Sequence, residues 1–238
     1  MSTEPLSVAK TPEALLDAAI ARAREALLAC QRADGHWCFE FEADCTISSE
    51  YILMMHYLDE VDTALEAKLA RYIRARQNPA GGWSLYTGGQ TDVSCAVKAY
   101  YALKLAGDDP GAPHMRRARE AVLALGGAER SNVFTRITLA LFGQIPWRGV
   151  PFIPVEIMLL PRWFFFHVYK VASWSRAVMV PLFILCTLKP RAKNPSRVDV
   201  RELFRQEPEQ VEDYFAGKAT TPLARFFLLL DRLGRSLE

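Results

Sequence analysis

Leu16, Ile20, Ala23 and Leu27 recur at spacings of four and three residues, the period that places them on one face of a helix. Thr11-Pro12 ahead of them reads as an N-cap followed by the first helical residue, so this helix is expected to run to about Cys30. Ser48-Ser49-Glu50 is expected to open a second helix through Leu58, and the stripe Leu65, Leu69, Tyr72 and Ile73 marks a third. A fourth spans Asp92 to Leu105 and stops at Gly107-Asp108-Asp109-Pro110-Gly111. Met115, Ala118 and Val122 outline a fifth, and Ser131 or Asn132 caps a sixth through Phe142, which Gly143-Gln144-Ile145-Pro146-Trp147 breaks. The pattern is that of an all-α chain.

Two of these helices are followed by the same signature, Gln-x-x-x-Gly-x-Trp: Gln31, Gly35 and Trp37 after the first, Gln77, Gly81 and Trp83 after the third. The second copy follows the first by 46 residues, and one further step of 46 from Gly81 reaches Gly127 after the fifth helix. A glutamine amide beyond a helix end can satisfy orphan backbone groups there, a glycine can close the helix in the left-handed region, and an indole N–H can find a carbonyl. Together the three residues read as a clasp that pins neighbouring helix pairs, and the repeat implies an array of such pairs.

The later part of the chain changes character. Four prolines from Pro146 to Pro161 predict bends between short helices. Trp163 to Leu188 is strongly apolar and reads as a buried core helix. Lys189 to Pro208 is polar and reads as a connector. From Pro222 to Glu238, Leu223, Phe226, Phe227, Leu230 and Leu233 lie on one side, with Arg225, Asp231, Arg232 and Arg235 opposite. That pattern suits either a buried helix or one lying in a membrane interface.

Composition narrows the class. With 238 residues, 50% hydrophobic and 24% charged, the chain has the balance of a folded protein. A net charge of +2, without a Lys/Arg run interleaved with aromatics, argues against nucleic acid as a partner. Cys30, Cys38, Cys45, Cys95 and Cys186 are odd in number and lack Cys-x-x-Cys spacing, so they read as reduced, structural thiols and no metal site is expected. The first ten residues contain no apolar signal core and the apolar run Ala177 to Cys186 is too short to span, so neither secretion nor a bilayer-crossing helix is expected.

Read with their surroundings, Gln31-Arg32-Ala33-Asp34-Gly35-His36-Trp37, Glu50-Tyr51-Ile52-Leu53 and Gln77-Asn78-Pro79-Ala80-Gly81-Gly82-Trp83 resemble the N-terminal part of the squalene-hopene cyclases. Val133-Phe134-Thr135-Arg136, Ile145-Pro146-Trp147, Pro154-Val155-Glu156-Ile157-Met158 and Ser173-Trp174-Ser175-Arg176-Ala177 continue the likeness in the family's order, over roughly Leu15 to Leu237. The resemblance implies an α/α-barrel of helix pairs. Residues 1–31 would be an N-terminal tail and the first helix of a catalytic domain, and residues 32–238 an inserted α/α-barrel domain, incomplete at its C-terminus. It further implies an isomerase of triterpenoid (hopanoid) biosynthesis that cyclises squalene to hopene and hopanol without metal or organic cofactor. Such a protein would sit peripherally on the cytoplasmic face of the membrane, and the family leaves room for a homodimer.

The same resemblance places individual residues. Trp174 and Phe134 match positions in the substrate cavity, Val171 and Met179 flank the entrance channel, and Glu50 belongs to a polar patch near the end of the reaction. Lys98 and Asn132 depart from the pattern, standing where a carboxylate and an arginine are expected. Lys98 beside Glu50 would be a charge-swapped version of the network, because a buried charge demands a partner. Thr138 stands where some members carry an aromatic. The Asp-x-Asp-Asp cluster that protonates the substrate is absent, since Asp59-Glu60-Val61-Asp62 and Asp108-Asp109 fail the spacing and read as solvated turns. The chain is therefore expected to be inactive without a C-terminal catalytic domain and to be poorly soluble alone, with Pro222 to Glu238 as its membrane contact. The competing reading is a non-catalytic helical-repeat interaction module.

Overall fold

A computed structural model of the chain describes residues 11–38, 44–164, 167–211, 214–215, 221–222, 225–226, 228–229 and 234. Among them every regular element is helical. The chain divides into two units, Met1–Glu42 and Ala43–Glu238.

In the first unit α1 covers Pro12–Ala29. The Thr11 side chain accepts from the Ala14 N–H and Pro12 occupies the first turn, as the sequence signals. None of its side chains is buried.

The second unit opens with α2, Cys45–Leu58, and α3, Thr63–Ala75. It continues with α4, Val93–Leu105, and α5, Pro113–Ala124. α6, Val133–Leu141, and α7, Ser173–Leu188, complete the α-helices. Acidic and amide side chains set four of the starts: Asp44, Asp62, Asp92 and Asn132 each accept from a backbone N–H of the first turn. α2 begins earlier than Ser48 because Asp44 is its cap. Ser49 instead donates to the Cys45 carbonyl at 2.6 Å within the helix.

α4 is the axis of this unit, packing against α2, α3, α5 and α6. Its residues from Ser94 to Leu103 are all buried, which small side chains on every face (Ser94, Ala96, Ala99, Ala102) make sterically feasible. α5 buries only Met115, Ala118 and Val122, the stripe read from sequence. Phe142, just past α6, meets the Tyr101 and Tyr57 rings edge-on at 5.2 and 6.1 Å.

The proline-rich stretch forms short 3₁₀ turns at Trp147–Gly149 and Val155–Leu159. The segment after α7 does more than connect. Ala192, Val200, Leu203 and Phe204 are buried, Tyr100 Oη donates to Glu202 at 2.8 Å, and Val200 N–H donates to Gln144 at 3.0 Å. The polar composition of 189–208 conceals these anchors, because the burying residues are single and irregularly spaced. α7 differs in the opposite sense: only Phe183 and Cys186 are buried, so it is not the core helix its composition suggests. Apolar residues occur on all its faces, but its neighbours in this chain cover one.

Of the C-terminal segment, Pro222, Arg225, Phe226, Leu228, Leu229 and Gly234 are helical, with Phe226 and Leu229 about half exposed. Leu223, Phe227, Leu230 and Leu233 lie outside the described residues. No helix among the described residues is long and apolar enough to cross a membrane.

Candidate functional site

The two Gln-x-x-x-Gly-x-Trp copies adopt one geometry. Gln31 Nε2 donates to the Gly35 carbonyl at 2.7 Å and Gln77 Nε2 to the Gly81 carbonyl at 2.7 Å. Trp37 Nε1 reaches back ten residues to the Leu27 carbonyl, and Trp83 Nε1 reaches back ten to the Ile73 carbonyl. Each indole thus satisfies a carbonyl in the last turn of the preceding helix. Both glycines have φ of +89°, but neither ends its helix: they sit in turns that follow the caps Cys30 and Arg76. The second copy also makes a longer-range tie, with Gln77 Nε2 donating to the His114 carbonyl at 2.8 Å and Arg117 donating to Gln77 Oε1 at 2.9 Å. Trp83 is fully buried, whereas Trp37 is 42% exposed.

Glu50 on α2 and Lys98 on α4 are brought together, with Lys98 Nζ 2.7 Å from Glu50 Oε1. The lysine side chain is 6% exposed and the glutamate 45%. A buried ammonium therefore points at a carboxylate that still reaches solvent. Around Glu50 the open side of α2 carries Ile47, Tyr51 and Met54, all exposed. Asn132 works locally: its side chain caps α6 by accepting from Thr135 N–H at 2.9 Å, and its own N–H donates to Ser94 Oγ at 2.8 Å. Phe134, two residues into α6, is half exposed, and Thr138 Oγ1 turns onto the Phe134 carbonyl at 3.1 Å.

Trp174 lies in the first turn of α7 and is 74% exposed. Val171 and Met179 are half-buried. Arg176 orders this entrance to the helix by donating to the Val171 carbonyl at 2.7 Å and lying over the Tyr169 ring. Trp174 and Phe134 are thus 74% and 50% exposed, and no cavity shared by the two is seen among the described residues.

A polar cluster absent from the sequence reading joins three elements. Asp108 is not a solvated turn residue, since its side chain is only 7% exposed. It receives Arg74 Nε at 2.9 Å from α3 and lies 2.6 Å from His114 Nε2 on α5. Burial pushes the Asp108 carboxyl up, but the hydrogen bonds from Arg74 and His114 outweigh it and hold the group below its ordinary value. His56 and Glu66 make a similar bridge between α2 and α3 at 2.6 Å. These pairs lie 34 and ten residues apart, with no spacing motif to announce them. Among the described residues, no three His, Cys, Asp or Glu converge as metal ligands.

Residues 20–238 match the squalene-hopene cyclase N-terminal domain, a domain of the α/α-barrel class that the sequence resemblance implies. The squalene-hopene cyclase of Bradyrhizobium diazoefficiens is 52% identical over 228 residues, covering 94% of this chain and 34% of the relative. That of Zymomonas mobilis is 56% identical over 223 residues, covering 92% and 33%. The squalene-hopene cyclase of Alicyclobacillus acidocaldarius is 39% identical over 183 residues, covering 77% and 29%. The chain thus spans about a third of the length of these curated relatives.

Proposed function

The chain belongs to the squalene-hopene cyclase family, and from that membership we propose that it forms the N-terminal portion of a cyclase converting squalene to hopene and hopanol. One observation carries the reading: the family's N-terminal domain matches residues 20–238, and that stretch corresponds to only a third of each relative. In this reading α1 belongs to the catalytic domain and residues 32–238 to the inserted barrel.

The chemistry divides accordingly. Opening the cascade means protonating an isolated alkene, which requires a carboxylic acid strengthened by hydrogen bonds that favour its carboxylate form. With no Asp-x-Asp-Asp in these 238 residues, the acid comes from the catalytic domain, and this portion supplies wall. Trp174 and Phe134 present ring faces to the travelling cation, each worth about 0.5–2 kcal/mol and more where water is excluded. Their exposure on this chain fits a chamber whose facing wall is contributed by that domain. Val171 and Met179 keep the substrate path apolar. Glu50, oriented by Lys98, faces the end of the cascade, where a cation either loses a proton or takes up water. Squalene partitions into lipid, so Pro222 to Glu238 serves as the peripheral contact with the membrane, on its cytoplasmic face.

The test is co-expression of this chain with a C-terminal cyclase portion carrying Asp-x-Asp-Asp, with pentacyclic products measured by gas chromatography and mass spectrometry. Hopene and hopanol are expected only from the pair, and Trp174→Ala should lower turnover about tenfold, equivalent to ~1.4 kcal/mol of lost cation stabilisation. Pentacycles from this chain alone, or none from a pair that co-purifies, would overturn the proposal.

A further inference from the structure

Lys98 stands in α4, where every residue from Ser94 to Leu103 is buried, and a charge in that setting needs a reason. Stability does not supply one. A buried ion pair is often no better for folding than an apolar side chain of similar volume, because desolvation of the charges offsets their attraction. The lysine side chain is only 6% exposed, and its ammonium meets Glu50 Oε1 at 2.7 Å.

Glu50 sits differently. Its side chain is 45% exposed, on a helix that also exposes Ile47, Tyr51 and Met54. Among the described residues Lys98 is the one hydrogen-bond or ion-pair partner of this carboxylate, and the carboxylate is the one such partner of the ammonium. The bond uses Oε1, so Oε2 remains available to a bound molecule. A carboxylate with one oxygen pinned from the interior and one left free is a base held in a fixed place. Without the ammonium it would be at liberty to swing toward water.

We propose that Lys98 is a positioning residue that sets how the cyclisation ends, a role that rests on the cyclase reading and adds control of the product to it. The last cation has two exits. In one, Glu50 takes a proton from a carbon next to the cationic centre, and the electron pair of that C–H bond becomes the double bond of hopene. In the other, the oxygen of a water molecule bonds to the cationic carbon, and the proton it sheds passes to Glu50 or to solvent, leaving the alcohol. Direct removal of a C–H proton demands a base at a fixed place, whereas water reaches the cation without one. By pinning Oε1, Lys98 favours the alkene exit.

The test uses the chain co-expressed with a C-terminal cyclase portion and reads the ratio of hopene to hopanol by gas chromatography. That ratio is internal to each product mixture and does not depend on how much enzyme folds. Lys98→Met keeps an unbranched side chain of similar length and removes the charge. It should lower the hopene to hopanol ratio about threefold or more, as expected when a base loses its fixed place. Glu50→Gln should lower the ratio as well, and adding Lys98→Met to Glu50→Gln should change it no further, because the lysine acts through the carboxylate. Should Lys98→Met fail to fold, Lys98→Leu supplies the same comparison. An unchanged ratio on loss of the lysine charge, or an equal shift when that charge is removed in the Glu50→Gln background, would overturn the proposal and leave the cyclase reading standing. No pentacycle from a wild-type pair that co-purifies would overturn the cyclase reading, and the role of Lys98 falls with it.

Discussion

Trp83 donates its indole N–H to the Ile73 carbonyl at 2.7 Å from a ring with no exposed surface. Trp37 makes the equivalent bond to Leu27 at 2.6 Å while 42% exposed. The same clasp therefore rests on different amounts of burial. Trp83→Ala should cost about 3–5 kcal/mol, the range for truncating a fully buried aromatic. Trp37→Ala should cost about 1 kcal/mol or less in this chain. Urea unfolding followed by circular dichroism separates the two, and similar midpoints for both variants would contradict the assignment.

The paired glycines give a second comparison. Gly35 and Gly81 share φ of +89°, so alanine at either carries about 1–2 kcal/mol of left-handed strain. At Gly35 the nearest atom to an added Cβ is Gln31 Nε2 at 3.9 Å, whereas at Gly81 the Arg117 carbonyl oxygen stands at 2.7 Å. Backbone cannot move aside as a side chain can. Gly81→Ala should therefore lower stability by at least about 1–3 kcal/mol more than Gly35→Ala, the cost of overpacking, measured as the shift in denaturation midpoint.

For the Glu50–Lys98 pair the two single substitutions should differ in size. Glu50→Gln leaves the Lys98 ammonium buried without its carboxylate, at about 1–3 kcal/mol once the solvent reaching Glu50 is allowed for. Lys98→Met removes the buried charge itself and leaves Glu50 near water, so it should be close to neutral. A double-mutant cycle by urea unfolding measures the coupling. If Lys98→Met proves the more damaging change, the lysine contributes something besides this pair.

Asp108 supplies a pH signature. Its carboxyl, lifted by burial and then lowered further by Arg74 and His114, titrates below the ordinary 3.8. A carboxyl whose folded value is depressed contributes stability that is complete above the unfolded value and is lost as pH falls through the folded one. Asp108→Asn should therefore be less stable than wild type at neutral pH by about 1–2 kcal/mol, as for a hydrogen bond to a charged group. The gap should close as pH drops below about 4, the unfolded range for Asp. A gap that stays constant to pH 2 would show that Asp108 acts through shape and not charge.

Legibility in the sequence tracks whether the responsible physics is local. The face Met115, Ala118 and Val122 was readable because helical periodicity and burial coincide in α5. The cap of α6 was readable to within one residue, as Ser131 or Asn132, because a capping side chain acts locally, and Asn132 fills it by accepting from Thr135 N–H three residues on. The start of α2 was not, since Ser48-Ser49 imitates a cap that Asp44 provides. Nor was the exposure of α7, because composition states that a face is apolar but not whether anything covers it. Asp108 illustrates the non-local case: its partners arrive from α3 and α5, and a Gly/Pro-rich turn gives no hint of them. In the candidate site, Glu50 and Lys98 stand 48 residues apart, so only resemblance to a family, and no spacing, links them in the sequence.

Thiol reactivity offers a measurement that samples both units at once. Cys45 and Cys95 are buried, and burial, with smaller contributions from neighbouring groups, pushes the Cys45 thiol up to about 12 and the Cys95 thiol up to about 11. Since the thiolate is the nucleophile, both should be inert at pH 8. Cys186 is also buried, while Cys30 and Cys38 are exposed. Titration of the native chain with Ellman's reagent should release two equivalents quickly, matching Cys30 and Cys38, and all five only after denaturation. Cys30→Ser with Cys38→Ser should abolish the fast phase. If a third thiol reacts as fast as these two, either α2 and α4 do not close over Cys45 and Cys95 or α7 does not shield Cys186, and labelling followed by peptide mass spectrometry would identify which packing is at fault.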